Sequence, residues 1–376
     1  MRILQLTSHL HLGGVPSYVA SLSETLRARG HEVIVASERG VLVERLQRAG
    51  VAHWRVPLAL SAEVSWPVYQ SGRQLDARLR AHPVDMIHAH TRVAQVVADG
   101  LSRRRRIPYV TTWHGFFTPK FARRWWPCTG ALTIAVSAPV AQSLGDDFQV
   151  PGQRIRVIPN GVNVAYFSTP PDPALLQRMR QQWRLPADAL VIGAVGRLAS
   201  GNVKGFDCLL EAASIARRTV PALQVLIVGD GPGRAALEAH VRRLGLEGAV
   251  HFLGAMEDIR PALALMDVFV FPSREQEGFG LSLIEAMAAG RAVVSSRAGA
   301  RAEIVEDGRS GWLANAEDPA DLARCVCALA QDSALRERLG ADARARVRVR
   351  FSLERMTEQV EQVYKEAKQL YEVKRG

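Results

Sequence analysis

Short, almost continuously apolar segments alternate with helix-forming segments along this chain, and the alternation starts again near its middle. Strands that are apolar throughout are typical of parallel sheets covered by helices on both faces. In the first half we predict strands at residues 3–6, 32–36, 86–89, 109–112 and 132–136, and helices at 15–29 and 41–49.

The second half repeats this order of strands and helices. A chain of 376 residues is longer than one ordinary hydrophobic core can serve, so two doubly wound α/β domains are expected. The Pro-rich residues 168–173 predict a linker, which gives domains at 1–168 and 169–351 and a C-terminal helix within 352–376. The second-half strands are predicted at 191–196, 224–229, 250–253, 268–271 and 292–296, and helices at 208–217 and 234–244.

Glu277 and Glu285 bracket a segment that passes from a glycine-containing loop into a helix. The helix is predicted from Leu281 to residue 289, so the amides of Gly280 and Leu281 would lie at its N-terminus, where anions bind. Two hydroxyl-binding carboxylates beside an anion site suit a nucleotide-sugar. On these residues alone, a solvated glutamate at a helix start and a second one on an exposed face remain the alternative.

Cations and glycines follow two predicted strands of the second half. Arg197 and Lys204 flank the loop after the first strand, where they could clamp a diphosphate or simply lie exposed at the surface. Gly229 opens a Gly-Asp-Gly turn that would let backbone approach a ligand, although such turns are common in any protein.

The segment from Glu277 to Glu285 resembles the Glu-x7-Glu signature of the family 4 retaining glycosyltransferases, which include bacterial lipopolysaccharide glucosyltransferases and phosphatidylinositol mannosyltransferases. The resemblance implies a GT-B fold, in which two Rossmann-like domains face each other across a cleft. The first would serve the acceptor and the second the donor, and the last helix would cross back onto the first.

The resemblance also implies roles for individual residues. Glu285 would bind the ribose hydroxyls, Glu277 would lie near the donor sugar, and His114 would be the active-site histidine. Of His88 and His90 we expect one to be buried and His90 to be nearer the cleft. The predicted catalytic residues are His114, Glu277, Arg197 and Lys204, and the predicted donor-binding residues are Gly14, Arg197, Lys204, Gly229, Leu253, Glu277, Phe279, Gly280, Leu281 and Glu285.

The positive charge of the chain is concentrated in its first half. Residues 1–168 hold 20 Lys and Arg against 10 Asp and Glu, whereas the remainder holds 28 against 27. Such an excess indicates an anionic membrane or a nucleic acid, unless it serves only the solubility of an arginine-rich protein. A nucleic acid would leave the two glutamates unexplained. Two basic segments supply the predicted acceptor and membrane residues, and the second segment is rich in aromatic residues. These aromatic side chains could instead belong to the core. The predicted residues are Arg103, Arg104, Lys120, Arg123, Arg124, Trp125 and Trp126.

Several patterns are missing from the sequence. No Asp-x-Asp occurs, so we expect no metal and no cofactor beyond the donor, with cations neutralising the leaving diphosphate. No apolar run approaches the roughly 20 residues that span a bilayer, and the N-terminus does not resemble a signal peptide. Four scattered cysteines favour a reducing compartment. These observations predict a cytoplasmic protein, peripheral at the inner face of the cytoplasmic membrane.

These features suit the transfer of a sugar from a nucleoside-diphosphate sugar, and the resemblance to family 4 implies that the transfer is retaining. A UDP-sugar is the expected donor, and a hydroxyl of a glycan or lipid-linked acceptor in surface polysaccharide or glycolipid synthesis is the expected target. A nucleotide-sugar 2-epimerase or a sugar-phosphate synthase on the same fold is the alternative.

Overall fold

The computed structural model describes residues 1–119, 121–201, 203–274 and 277–373. It divides into two compact units. The first comprises Met1–Gly161 together with the chain from Leu353 onward, and the second comprises Val162–Ser352.

The first unit is built on a seven-stranded parallel sheet with the strand order β3-β2-β1-β4-β5-β6-β7. The chain crosses over between β1 and β4, the reversal typical of doubly wound sheets. The strands are β1 Arg2–Leu6, β2 Glu32–Ser37, β3 Ala52–Arg55, β4 Met86–Ala89, β5 Tyr109–Trp113, β6 Leu132–Ala135 and β7 Ile155–Val157. The helices are α1 Gly14–Ala28, α2 Leu42–Arg48, α3 Trp66–Ala81, α4 Arg92–Arg105, α5 Phe121–Trp125 and α6 Ala138–Phe148.

The second unit has a six-stranded parallel sheet with the order β10-β9-β8-β11-β12-β13, so its reversal lies between β8 and β11. The strands are β8 Val191–Val195, β9 Gln224–Val228, β10 Val250–Gly254, β11 Val268–Phe271, β12 Ala292–Ser296 and β13 Trp312–Ala314. The helices are α7 Val164–Ser168, α8 Pro173–Gln182, α9 Phe206–Ala216, α10 Arg234–Arg243, α11 Arg260–Leu265, α12 Leu281–Ala288, α13 Arg301–Ile304, α14 Pro319–Gln331 and α15 Ser333–Arg350. The predicted pair of Rossmann-like α/β domains is confirmed.

The division between the units falls at Gly161, before the domain end predicted at residue 168. Two contacts explain the difference. The amide of Val162 donates to the carbonyl of Phe351 at 2.9 Å, and α7 packs against α12 and α15. The residues just before the Pro-rich segment therefore belong to the second unit.

The C-terminal helix α16 (Leu353–Val373) belongs to the first unit, where it packs against α1. Its apolar face, with Met356, Val360 and Val363, joins the same hydrophobic core as the buried side of α1. Tyr364 on this helix is fully buried as well. Among the described residues, no helix is both long and apolar enough to cross a membrane.

Candidate active site

The carboxyl end of β8 forms one wall of the candidate site in the second unit. Its loop carries Arg197 and returns to α9 through Lys204. Gly229, at the end of β9, has φ +138°, and a Cβ there would lie 1.9 Å from the carbonyl oxygen of Gly196. This glycine is therefore required for the close packing of the two loops, whatever it does for a ligand.

Lys204 and Glu277 form an ion pair that joins the two predicted donor-binding segments. The ammonium nitrogen lies 2.6 Å from Oε1 and 2.7 Å from Oε2 of the carboxylate, and both side chains are partly buried. The predicted partners were a diphosphate for Lys204 and the donor sugar for Glu277, and a contact between the two side chains was not predicted. The ion pair holds both groups at one place, and Glu277 is the only hydrogen-bond acceptor of the Lys204 ammonium among the described residues.

Arg197 differs from Lys204 because its side chain is exposed and has no hydrogen-bond or ion-pair partner in the part of the chain that the structure describes. Both cations line a cavity of about 310 Å³ whose other walls come from α9 and α10. Glu211 and His240 also line this cavity, with Oε1 of Glu211 3.4 Å from Nε2 of His240. The structure thus brings both predicted diphosphate ligands to one cavity.

Helix α12 begins at Leu281, as predicted, and places Glu285 half-buried one turn further on. Ser282 ties the helix start to the end of β8, since its hydroxyl donates to the carbonyl of Val195 at 3.1 Å. Gly280 has φ +132°, a conformation that favours glycine. Phe279 is buried with its ring 5.8 Å from that of Phe351, so only its backbone is left to meet a donor.

Three histidines lie together in the first unit at the ends of β4 and β5. His88 and His90 are both buried, whereas only one was expected to be. Residues two apart on a strand share a face, and the two ring centroids are 4.1 Å apart. His90 Nδ1 lies 3.3 Å from Nε2 of His114, which follows β5 and is half-buried.

The surroundings of His114 keep its ring neutral. Desolvation lowers the pKa of His114 to about 3, so no proton is held on the second ring nitrogen at neutral pH. Tyr18 of α1 presents an edge-on contact with a centroid separation of 4.8 Å. A neutral imidazole can orient a sugar hydroxyl by one hydrogen bond. Two predicted donor-binding residues remain. Gly14 is exposed at the start of α1, and Leu253 is half-buried in β10.

The predicted acceptor and membrane residues fall into two groups. Arg123 pairs with Glu63, which also binds Arg92, and Trp126 donates from Nε1 to Asp99 at 3.0 Å. These two side chains therefore hold the local fold together. The side chains that face solvent are Arg103, Arg104, Arg124 and Trp125. Of these, Arg103 also contacts Asp99, and Arg104 contacts Asp76. Lys120 lies outside the described residues.

Sequence reasoning missed an exposed apolar cluster at the start of α3. Val64, Trp66 and Tyr69 are exposed, and the rings of Trp66 and Tyr69 stack at 5.2 Å. Glu63, next to this cluster, carries the ion pair to Arg123 and so connects it to the basic aromatic segment. The available signal was a set of large apolar residues beside a proline at a helix start.

Comparisons with known proteins identify the family of this chain. A family model described as Glycosyltransferase Family 4 matches residues 12–166, and one described as Glycosyl transferases group 1 matches residues 189–332. The phosphatidyl-myo-inositol mannosyltransferase of Mycobacterium leprae is 31% identical over 94% of this chain and 92% of its own. The D-inositol 3-phosphate glycosyltransferase of Acidothermus cellulolyticus is 31% identical over 94% and 86%.

A solved structure extends the likeness to the whole fold. HepE from Anabaena, in complex with UDP and glucose, superposes with a TM-score of 0.86 and 25% identity over 97% of this chain and 100% of that chain. The sequence likeness to the two enzymes and the shared GT-B fold lead to one conclusion. This protein is a glycosyltransferase and belongs to glycosyltransferase family 4.

Proposed function

We propose that this protein is a retaining glycosyltransferase that transfers a sugar from a nucleoside-diphosphate sugar, with a UDP-sugar as first candidate, to a hydroxyl of a glycan or lipid-linked acceptor. The observation that carries the proposal is the grouping of Arg197 with the Lys204–Glu277 ion pair at the end of β8. Two cations suit a diphosphate, and the carboxylate between the loops suits the sugar attached to it.

The chemistry follows from these positions. Arg197 and Lys204 would neutralise the negative charge that develops as the bond between the sugar and the diphosphate breaks. The acceptor hydroxyl would attack from the face that the diphosphate leaves, and the departing phosphate oxygen would take its proton. Neutral His114 would accept a hydrogen bond from a hydroxyl of the sugar. The products are a glycoside with retained configuration and a nucleoside diphosphate.

The lipid side of the proposal rests on a relative and on charge. The Mycobacterium leprae enzyme is named for a phosphatidylinositol acceptor, and residues 1–168 carry the basic excess of this chain. A cytoplasmic role at the inner membrane face, in surface polysaccharide or glycolipid synthesis, fits both. The Acidothermus enzyme, named for a soluble inositol phosphate, favours a sugar-phosphate synthase as the second candidate.

Incubating the protein with UDP-, GDP- and ADP-sugars tests the proposal. One donor should be hydrolysed slowly on its own and consumed faster when acceptor is present, by transfer of its sugar. NMR should show the glycoside with the donor's anomeric configuration. Inverted product or no turnover of any donor contradicts the proposal. Exchange at the second carbon without acceptor would indicate an epimerase, and a water-soluble phosphorylated product would indicate the synthase.

Activity should survive chelation of divalent metals. The leaving diphosphate has two protein cations available, so its charge can be neutralised without Mg²⁺ or Mn²⁺. Initial rates with and without EDTA should agree, with a metal-dependent transferase as positive control. A loss of activity that added Mg²⁺ or Mn²⁺ restores would show that the protein holds a catalytic metal.

The two glutamates should differ in what they bind. Glu285→Ala should weaken binding of UDP alone by about tenfold, the value of one or two lost hydrogen bonds. Glu277→Ala should not weaken UDP binding, because it frees the Lys204 ammonium for the diphosphate, and it should lower turnover, since the proposed partner of Glu277 is the sugar. Calorimetric titration with UDP measures both, with the exposed Glu337→Ala as control. Equal losses of UDP affinity in both variants would end this division.

The first unit should bind anionic vesicles through the exposed part of its basic aromatic surface. Trp125 is 80% exposed and Arg124 beside it is exposed, which suits the headgroup region. Wild-type protein should pellet with anionic vesicles at low salt, and the Arg124→Ala/Trp125→Ala double variant should pellet less. A matched control is Arg218→Ala/Ile215→Ala, which removes an exposed cation and apolar side chain from the second unit. Equal pelleting of all three proteins would contradict this surface.

A further inference from the structure

Buried polar side chains of the first unit form a hydrogen-bonded chain that runs from the C-terminal helix to His114. One arm runs from the Tyr364 hydroxyl to Nε2 of Gln5 at 3.2 Å, and from Oε1 of Gln5 to Nε2 of His90 at 2.6 Å. His90 Nδ1 then meets His114 Nε2 at 3.3 Å. Gln5, His90 and Tyr364 are each at most 2% exposed.

A second arm leaves the same hydroxyl. Tyr364 Oη lies 2.7 Å from Nδ1 of His88, and His88 Nε2 lies 2.7 Å from the hydroxyl of Thr112 on β5. The tyrosine ring also packs edge-on against the His88 ring, with centroids 5.5 Å apart. Helix α16 therefore contacts both strands that end at the histidine cluster.

The direction of the Gln5 amide determines the position of every proton in this chain. Oε1 of Gln5 accepts, so His90 carries its proton on Nε2 and leaves a lone pair on Nδ1. His114 must then donate from Nε2 to His90, which leaves the His114 lone pair on Nδ1. At the other end, the Gln5 amide donates to Tyr364, and the single hydroxyl proton of Tyr364 goes to His88.

Reversing the Gln5 amide would reverse the whole chain. Tyr364 would then donate to Gln5, His90 would hold its proton on Nδ1, and His114 would hold its proton on Nδ1. The rings stay neutral in either arrangement, because burial lowers the pKa of both His88 and His90 well below the usual range. The two arrangements therefore differ in which nitrogen of His114 can accept a hydrogen bond.

We propose that Tyr364 and Gln5 are positioning residues for His114, fixing the direction of this hydrogen-bond chain and so the tautomer of the ring that meets the donor sugar. The consequence for catalysis rests on the proposed role of His114 in sugar transfer. The C-terminal helix would then contribute to the reacting centre through a tyrosine that never touches substrate.

Nitrogen NMR of the histidine rings tests the tautomer directly. In wild-type protein, with His114 assigned from a His114→Gln variant, the ring should be neutral with its proton on Nε2. Tyr364→Phe removes the acceptor of the Gln5 amide, so the His114 ring nitrogens should shift toward a mixture of both tautomers. Tyr371→Phe makes the same chemical change on the same helix, near the carbonyl of Ser102, and should leave His114 unchanged.

Kinetics provide the second measurement. Tyr364→Phe should lower kcat at least about tenfold with the donor KM unchanged, because only the tautomer of His114 is altered. Gln5→Met interrupts the chain at its middle with little change in volume and should have the same effect. The double variant should be no slower than the slower single variant, since both act on one chain.

Three results would overturn the proposal: an unchanged His114 tautomer in Tyr364→Phe and in Gln5→Met, an equal shift in Tyr371→Phe, or losses in kcat that multiply in the double variant. The NMR measurement needs no turnover, so it separates this inference from the proposed function. A tautomer that responds in a protein that transfers no sugar supports the chain and contradicts the function. Active transfer with an unresponsive tautomer does the reverse.

Discussion

Replacing Arg197 by alanine should lower turnover on the order of 10²-fold or more, with the protein still folded. The guanidinium is exposed, has no partner within the described residues, and lines the cavity that it shares with Lys204. Its removal therefore breaks no hydrogen bond or ion pair in the part of the chain that the structure describes. Charge that develops on a departing diphosphate would lose one bidentate donor, an interaction that is stronger in the transition state than in the bound donor.

The control for Arg197→Ala is Arg218→Ala, which removes another exposed cation of the second unit. Circular dichroism and thermal unfolding should match wild type for both variants. Arg197→Lys should recover only part of the rate, because a lysine supplies the charge without the bidentate geometry. Near-normal turnover in a well-folded Arg197→Ala protein would contradict the clamp.

Lys204 is a less decisive target than Arg197, although the sequence predicts both as diphosphate ligands. Removing Lys204 leaves Glu277 without its ion-pair partner, so any loss of rate would combine two effects. Glu277→Ala has the converse problem, since it frees an ammonium beside the candidate donor site. The ion pair makes Arg197 the cleaner test of diphosphate binding.

Much of the fold could be predicted because its central strands are apolar throughout. All ten predicted strands are present, to within one residue at each end. The three strands that sequence reasoning missed are β3, β7 and β13, each at a sheet edge and three or four residues long. An edge strand is covered on fewer sides, so β3 and β7 keep polar and exposed residues and lack the apolar run.

The candidate site could be predicted residue by residue but not pair by pair. Local patterns indicate which side chains follow a strand or begin a helix, as with Arg197 and Glu285. Contacts between distant segments leave no such pattern. Lys204 meets Glu277 from 73 residues away, and Tyr364 meets His88 from 276 residues away. No local pattern distinguishes Tyr364 from the other residues of its predicted helix. Only the packing of α16 against β5 brings its hydroxyl to the histidine cluster.

Mild acid should destabilise this protein through its buried histidines. Burial lowers the pKa of His88 and His90 in the folded state, whereas in the unfolded chain each should titrate near 6.5. Below that pH the unfolded chain binds more protons than the folded one. The stabilisation is therefore complete above the unfolded pKa and is lost as the pH falls toward the lowered folded values.

The free energy of unfolding should fall by about 2 to 3 kcal/mol from these two residues between about pH 7 and about pH 5.5. The lowered pKa values of His53, His114 and His251 act in the same direction. The lowered pKa values of Glu63 and Asp76 act only at lower pH, nearer the unfolded carboxyl pKa.

Urea unfolding across this pH range measures the change in the free energy of unfolding. His88→Gln should remove about 1 kcal/mol of the pH dependence, whatever it does to stability at neutral pH. His82→Gln replaces an exposed histidine and should leave the slope as it is. A wild-type stability that stays constant down to about pH 5.5 would show that His88 and His90 take up protons in the folded protein, against the burial of both rings.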